Sequence, residues 1–402
     1  MVFPLGSVKD FRIEITEEHE LFRRTVRKFA EDKVAPIAME IEKKNEIPRD
    51  LLMEAKRLGF MGVGIPEEYG GQGGDNIMMA ILTEELARVS PAFALATIIN
   101  QVYATPILLF GTEEQKKKFI PPVAAGDSFG GHANTEPVAG SDIAGIQSTA
   151  VKKGDYWVLN GRKMFITGAE KADYFVVSAR TSPPQPGNRW WGISLFIVTK
   201  DMPGFKLGQR INVTGVRGEQ PYEIILDNVR VPEENVLKPL NEGFKMLVST
   251  YDHTRIVIAA LAVGIAQAVF EKALRYSLDR KAFEEPIISY QAVSFKIADM
   301  FMELEAARLL TYWAATLADQ GREEYVLASS LAKAFATEAA ERAALAAIKV
   351  HGGVGVDVDT GIERYLRDAL IVTITEGTNE IQRLTVIRTL VRRYAGLLRQ
   401  IA

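Results

Sequence analysis

The sequence contains no cysteine. Disulfides, thiolate nucleophiles, iron–sulfur clusters and cysteine-ligated zinc are excluded in one step. Histidine is scarce: only His19, His132, His253 and His351 occur, and no two lie three to five residues apart. A histidine pair at metal-ligand spacing is therefore missing, and no metal site is expected. No Gly-Lys pair exists, which removes the Walker P-loop. Charge of one sign is not in excess either. Lys and Arg number 48 against 51 Asp and Glu, a net charge of −3 with a pI near 6.0, so the overall charge offers nothing to a phosphate backbone. The N-terminal stretch lacks a basic start followed by an apolar run of signal-peptide length. The longest apolar run, residues 256–266, is short of the ~20 residues that cross a bilayer. A cytoplasmic protein without a membrane span is the expectation.

What is present is a large apolar fraction. The 402 residues are 47% hydrophobic and 25% charged, enough for two or three domains with substantial cores. Pattern divides the chain into three: an N-terminal helical domain over 1–126, a central β domain over 127–240, and a C-terminal four-helix bundle over 241–402. The class is α+β, mainly α. In the first part, Leu21, Phe22, Val26, Phe29 and Val34 recur near the helical period and the pattern stops at Pro36. A second helix is expected from Pro48 to Gly59, and further helix from Ile77 through Phe110 with a break at Ser90-Pro91. In the second part, residues 148–167 read as three short strands with turns at Gly154-Asp155 and Asn160-Gly161, since Asn-Gly is a strong hairpin signal. In the third, long helices are expected over 241–282, 289–320, 323–350 and 379–400. Crevices between such domains favour ligand sites.

Three motif-like stretches fail on context. Gly352-Gly353-Val354-Gly355 lacks the strand-turn-helix setting of a dinucleotide fingerprint. Residues 357–361 place Gly where a calcium loop needs an oxygen ligand. Gly126-Asp127-Ser128-Phe129-Gly130 matches a nucleophile elbow but follows helix and two prolines rather than a strand.

Two segments carry more chemistry. Residues 135–142, Thr-Glu-Pro-Val-Ala-Gly-Ser-Asp, bring hydroxyls and small residues into one turn, which suits a flat polar ring or a phosphate; an ordinary loop entering the β domain is the alternative. Glu376 ends an apolar segment directly before a helix start, where Asn379 with Gln382 forms a capping-box pattern and Glu380 suits the first turn. It is either one more acid near a helix N-terminus or a carboxylate in apolar surroundings with a pKa suited to general-base work.

In order and spacing, several stretches resemble the acyl-CoA dehydrogenase family of flavoproteins: residues 59–73, Thr135-Glu136-Pro137, Ala139 to Asp142, Lys163 to Thr167, Arg280 with Phe283 and Gln291, His351 to Gly353, and Glu376-Gly377-Thr378 with Ile381 to Arg383. The resemblance covers essentially the whole chain. It implies FAD as cofactor, an acyl-CoA substrate, a homotetramer, an electron-transfer flavoprotein as acceptor, and a place in fatty acid β-oxidation. By the same resemblance, Thr135 and Ser141 contact FAD, and Ser141 also serves the thioester end. Phe165, Ile166 and Thr167 lie along the flavin. Arg280, Phe283, Gln291, Lys349 and Gly353 hold the adenine and pyrophosphate half of an FAD bound to a neighbouring subunit. Thr378 and Glu380 complete the flavin site, Asp252, Arg255 and Gly377 meet the substrate, and Glu376 is the base that removes the α-proton as the β-hydrogen leaves to the flavin. Some relatives carry the base at the position of Thr254, which a threonine cannot serve at neutral pH.

The chain departs from the family pattern at Val138, Gly168, Glu284, Lys349 and Thr375. The first four touch the expected FAD geometry, with Glu284 placing a carboxylate near the expected pyrophosphate. Thr375, in place of a bulky aromatic, touches acyl preference. An oxidase using oxygen, or a scaffold relative without activity, are the other outcomes the same motifs allow.

Overall fold

The computed structural model describes residues 11–401; residues 1–10, within the stretch read for a signal sequence, and residue 402 lie outside it. Seven helices open the chain: α1 Glu17–Phe29, α2 Ala38–Lys44, α3 Arg49–Arg57, α4 Asn76–Ala87, α5 Pro91–Phe110, α6 Glu113–Phe119 and α7 Pro121–Ala124. The first helical path does not stop at Pro36 as expected. A π turn over Ala30–Val34 and a 3-10 turn over Ala35–Ile37 absorb the proline, and helix resumes as α2. The break at Ser90-Pro91 is present: Ser90 caps α5 by accepting the Phe93 N–H, with proline at the first position.

Seven strands follow: β1 Phe129–Ala133, β2 Thr149–Lys153, β3 Tyr156–Thr167, β4 Ala172–Arg180, β5 Ile193–Thr199, β6 Phe205–Arg210 and β7 Pro221–Pro232. They form one sheet in the order β1-β4-β2-β3-β7-β6, with β5 also paired to β4. The expected turn at Asn160-Gly161 is absent. β3 runs straight through it with a register shift against β7, because the Asn160 side chain accepts the Asn228 N–H at 2.8 Å and serves the ladder rather than a turn. A Cβ on Gly161 would stand 2.1 Å from Ser148 Oγ, so glycine there answers a close approach.

The last part holds α8 Gly243–Asp279, a two-residue hairpin of β8 Lys281–Ala282 and β9 Glu285–Pro286, then α9 Gln291–Asp319, α10 Tyr325–His351, α11 Arg364–Ile374 and α12 Asn379–Ile401. Helix α11 was not anticipated; its apolar end reads equally as strand in isolation. Two helices, α5 and α8, are long and apolar enough to cross a membrane by composition, although no contiguous run is; most of each lies buried inside the fold.

The helical ends interlock through α8 and through charge. Helix α4 packs on both α8 and α9. The fully buried Glu84 accepts from Arg308 Nε at 3.0 Å and from Tyr312 OH at 2.6 Å, while neighbouring Glu85 takes Arg23 and Arg27 at 2.8 Å. Burial pushes the Glu84 carboxyl up, yet Arg308 and Arg23 outweigh it and hold the group below its ordinary range. Where α8 crosses α4, Gly264 allows near contact: a Cβ there would meet the Glu84 carbonyl at 2.4 Å and Ala87 Cβ at 2.7 Å. Gly264→Ala should therefore cost about 1–3 kcal/mol by overpacking, read as a lowered denaturation midpoint; an unchanged midpoint would show that the helices separate freely.

Candidate active site

Glu376 sits in the four-residue connection between α11 and α12, at φ +53, followed by Gly377 at φ +89. A non-glycine residue held left-handed is costly and persists only where its surroundings fix it. They do so here. Gln382 Nε2 donates to the carbonyls of Glu376 at 3.2 Å and Gly377 at 2.9 Å. Lys333 Nζ, from α10, donates at 2.9 Å to the carbonyls of Thr373 and Gly377 and to Asn379 Oδ1. The expected capping box is thus not formed: Asn379 turns into the bundle toward Lys333 and Thr337, and Gln382 turns back to the bend.

The Glu376 carboxylate accepts a short hydrogen bond from Thr254 Oγ1 of α8. Burial raises its pKa above the ordinary carboxylate value, opposed by the Thr254 hydroxyl and by the Arg255 and Lys333 cations. A desolvated carboxylate with one aligned donor has a greater proton affinity than a solvated one, which suits a group that takes up a proton. Thr254 thus orients the Glu376 carboxylate.

Asp252 and Arg255, expected on the substrate, are both buried and paired with each other at 2.5 Å; Arg255 also reaches Ser330 and the Glu376 carbonyl. Burial lifts Asp252 to about 6, with Arg255 pulling the other way. Arg255 thus ties α8 to the Glu376 backbone, with Asp252 as its partner.

Across from Glu376, the β domain presents its own face. Met164 N–H donates to the Thr135 carbonyl at 2.9 Å, joining the 135–142 turn to the end of β3. Under this junction Lys163 is fully buried and donates to Glu136 at 2.7 Å, Ser178 at 3.1 Å and the Asn134 carbonyl at 3.1 Å. Burial lowers Lys163 to about 8, against the pull of Glu136. Glu136 in turn takes the N–H groups of Gln147 at 2.6 Å and Ser148 at 3.1 Å. The turn is folded around this ion pair. Phe165 stands on it at φ +59 and 53% exposed, with Thr135 and Thr167 half-buried beside it and Ile166 buried beneath. Ser141 is exposed on the same loop. Tyr251 of α8 links the two faces: its ring lies 5.5 Å from that of His132 on β1, and it is coupled both to Asn134 and to Glu376.

Gly168 stands at φ +68, where a Cβ would meet Glu219 Oε1 at 2.7 Å and the Glu219 side chain would have to shift. This accounts for one departure from the family pattern locally.

The remaining expected cofactor residues stand elsewhere. Arg280 caps α8, about 37 Å along the helix from Arg255 at ~1.5 Å per residue. The hairpin after it puts Phe283 and Glu284 at φ +51 and +72, and Phe283 is 90% exposed. Gln291, Lys349 and Gly353 are exposed at the same end of the bundle, where the rings of Tyr276 and His351 stack at 4.4 Å.

Sequence reasoning missed Lys333, Tyr251 and Gln382 in these roles. For Lys333 a signal exists: a lysine flanked at helical spacing by Ser329, Ser330, Ala336 and Thr337 lies on a small-residue, core-facing side.

Models of the acyl-CoA dehydrogenase N-terminal, middle and C-terminal domains match residues 16–127, 131–229 and 241–391. An acyl-CoA dehydrogenase of Bacillus subtilis is 42% identical over 379 residues, 94% of this chain and 99% of the relative. Among solved structures, butyryl-CoA dehydrogenase from Megasphaera elsdenii superposes with a TM-score of 0.90 at 36% identity, covering 94% of this chain and 100% of that one. A chain from a structure described as the electron transferring flavoprotein of Acidaminococcus fermentans, concerned with flavin-based electron bifurcation, gives a TM-score of 0.91 at 40% identity, covering 95% and 100%. The chain belongs to the acyl-CoA dehydrogenase family.

Proposed function

We propose that this acyl-CoA dehydrogenase oxidises a short- to medium-chain acyl-CoA to the trans-2-enoyl-CoA, with FAD as cofactor and Glu376 as base. The observation that carries the reading is the desolvated Glu376 carboxylate on a fixed left-handed bend, hydrogen-bonded by Thr254, with Tyr251 between it and Asn134 of the β domain. Glu376 takes the proton from the carbon next to the thioester carbonyl, and the Glu376 backbone N–H would donate to the thioester oxygen as enolate charge develops.

The chain fits a flavin on its own residues. Phe165 offers an exposed flat face with the Thr135 and Thr167 hydroxyls at its side, and buried Thr375 Oγ1 and His132 Nε2 have no protein partner among the described residues. Thr135, Ser141, Phe165, Ile166, Thr167, Thr378 and Glu380 would hold the ring end. When bound, the flavin supplies the acceptor for the hydrogen leaving the β-carbon. Arg280, Phe283, Gln291, Lys349 and Gly353, remote from that end, would serve the FAD of a second copy in a homotetramer, which gives the 90% exposed Phe283 a surface to meet. The likeness to a chain described with an electron transferring flavoprotein supports such a flavoprotein as electron acceptor; peroxide release in air would favour an oxidase instead.

Acyl preference follows from α5. The helix carries no Asp, Glu, Lys or Arg. Of its polar side chains, Asn100 is consumed by the Val123 and Ser128 carbonyls and the Gly130 N–H, while Ile98, Ile99 and Tyr103 are buried as core. That segment offers a distal substrate carboxylate no cationic partner, and an unpaired buried ion costs several kcal/mol.

Three outcomes test this reading. Glu376→Gln should keep fold and bound FAD yet lose about 10²–10⁴-fold in kcat/KM; substrate bleaching the flavin at the wild-type rate would remove Glu376 as base. Because only the ionised base is competent and burial raises its pKa, kcat/KM should rise with pH through a value above the ordinary carboxylate range. Thr254→Val, which deletes the donor favouring the charged form, should move that acidic limb to higher pH; an unmoved limb would mean another group titrates. Finally, butyryl- to octanoyl-CoA should exceed glutaryl-CoA by at least about a hundredfold in kcat/KM, and a chain-length series in which glutaryl-CoA is best would show that a charge from outside α5 reaches the pocket.

A further inference from the structure

Lys333 is fully buried in α10, among alanine, serine and threonine. Its three acceptors bracket the base: the Thr373 carbonyl in the last turn of α11, the Gly377 carbonyl directly after Glu376, and Asn379 Oδ1 at the start of α12, each at 2.9 Å. An ammonium has three N–H donors, so the set is complete. The cation also sits at the C-terminal end of α11, where unpaired carbonyls carry partial negative charge. One side chain thus ties down both helix ends and the residue after the bend.

A buried lysine is an expensive way to hold a loop, since apolar replacements of buried charges are often neutral or stabilising. Its retention therefore needs a reason that packing does not supply. We propose that Lys333 is a positioning residue for the reaction: its ammonium fixes the left-handed turn that presents the Glu376 carboxylate, and its charge holds that carboxylate in the ionised form. The proposal rests on Glu376 being the base.

The three acceptors and the nearby carboxylates favour the ammonium, while burial and Arg255 work against it. Burial, then Arg255, lowers Lys333 to about 7, against the pull of Glu376, Glu380 and Glu338. Burial raises Glu376, while the Thr254 hydrogen bond, Arg255 and Lys333 lower it, and Tyr251 faces it from α8. A neutral amine would have two N–H groups for three acceptors and leave one of them bare.

The test compares Lys333→Met and Lys333→Arg with Glu376→Gln in the FAD-loaded enzyme, using butyryl-CoA and an artificial electron acceptor, with flavin content and thermal midpoint measured alongside. Lys333→Met should fold, keep FAD and change KM little. Its kcat should fall about ten- to a hundredfold, as expected when a reacting group is misplaced. The acidic limb of kcat/KM should move up by about one pH unit, the low end of what a nearby charge does. Lys333→Arg, which keeps the charge, should hold that limb near its wild-type position. Folded Lys333→Met with wild-type kcat overturns the proposal, and so does a lost kcat with an unmoved limb, which is what a merely structural lysine gives. If Lys333→Met does not fold, Asn379→Ala removes one acceptor and leaves the charge: kcat should fall with the limb in place, and an unchanged kcat overturns the positioning role. Activity surviving in Glu376→Gln would instead sink the base assignment itself, so the two failures are distinguishable.

Discussion

Residues 256–266 of α8 are buried on every side of the helix. A helix apolar all round has no face to give to water, so it must be covered on each flank. That single constraint arranges the rest. Helices α9 and α10 cover it within the bundle, α4 and α5 cover it from the N-terminal domain, and its N-terminal half is left against the β domain through Tyr251 and His132. The three domains are three coats on one rod. The site lies where the coats meet, because only there do α8, α10 and the β sheet come within side-chain reach of the α11–α12 connection.

Two buried lysines mark the two faces of that site and act in the same manner. Lys163 gathers Glu136, Ser178 and the Asn134 carbonyl beneath the 135–142 turn, and Lys333 gathers carbonyls and Asn379 beneath the Glu376 bend. Burial lowers each, to about 8 and about 7. Irregular loops cannot satisfy their carbonyls by ladder or helix, and a three-donor ammonium satisfies several at one point. A non-glycine residue stands in the left-handed region beside each lysine, Phe165 near the end of β3 and Glu376 in the α11–α12 connection, so the rigid support lies next to the strained residue in each case.

Much of this was legible beforehand. The helix–sheet–helix order follows from hydrophobic period, which changes from 3.6 to 2 and back, and the long bundle helices follow from sustained alanine- and leucine-rich pattern. Glu376 stood out as an acid at the end of an apolar segment, and Thr135 and Thr167 by their place in matched motifs. The misreadings were local. Asn160-Gly161 has turn chemistry, but its neighbour across the sheet uses the Asn side chain; Asn379 with Gln382 has capping chemistry, but the bundle claims both side chains; Pro36 ends an ideal helix, but a π turn accommodates it.

By itself the sequence determined the helix–sheet–helix order, where apolar surface must be buried, and which acid stands at a helix junction, since these depend on residue type and near neighbours. Tertiary structure alone decided the state of that acid. Its raised pKa, its Thr254 donor, the Lys333 clamp 43 positions away and the separation of Arg280 from the ring end all depend on groups distant in the chain. Desolvation and charge act through space, and no periodicity in the sequence records which side chains the packing of α8, α10 and the sheet brings together.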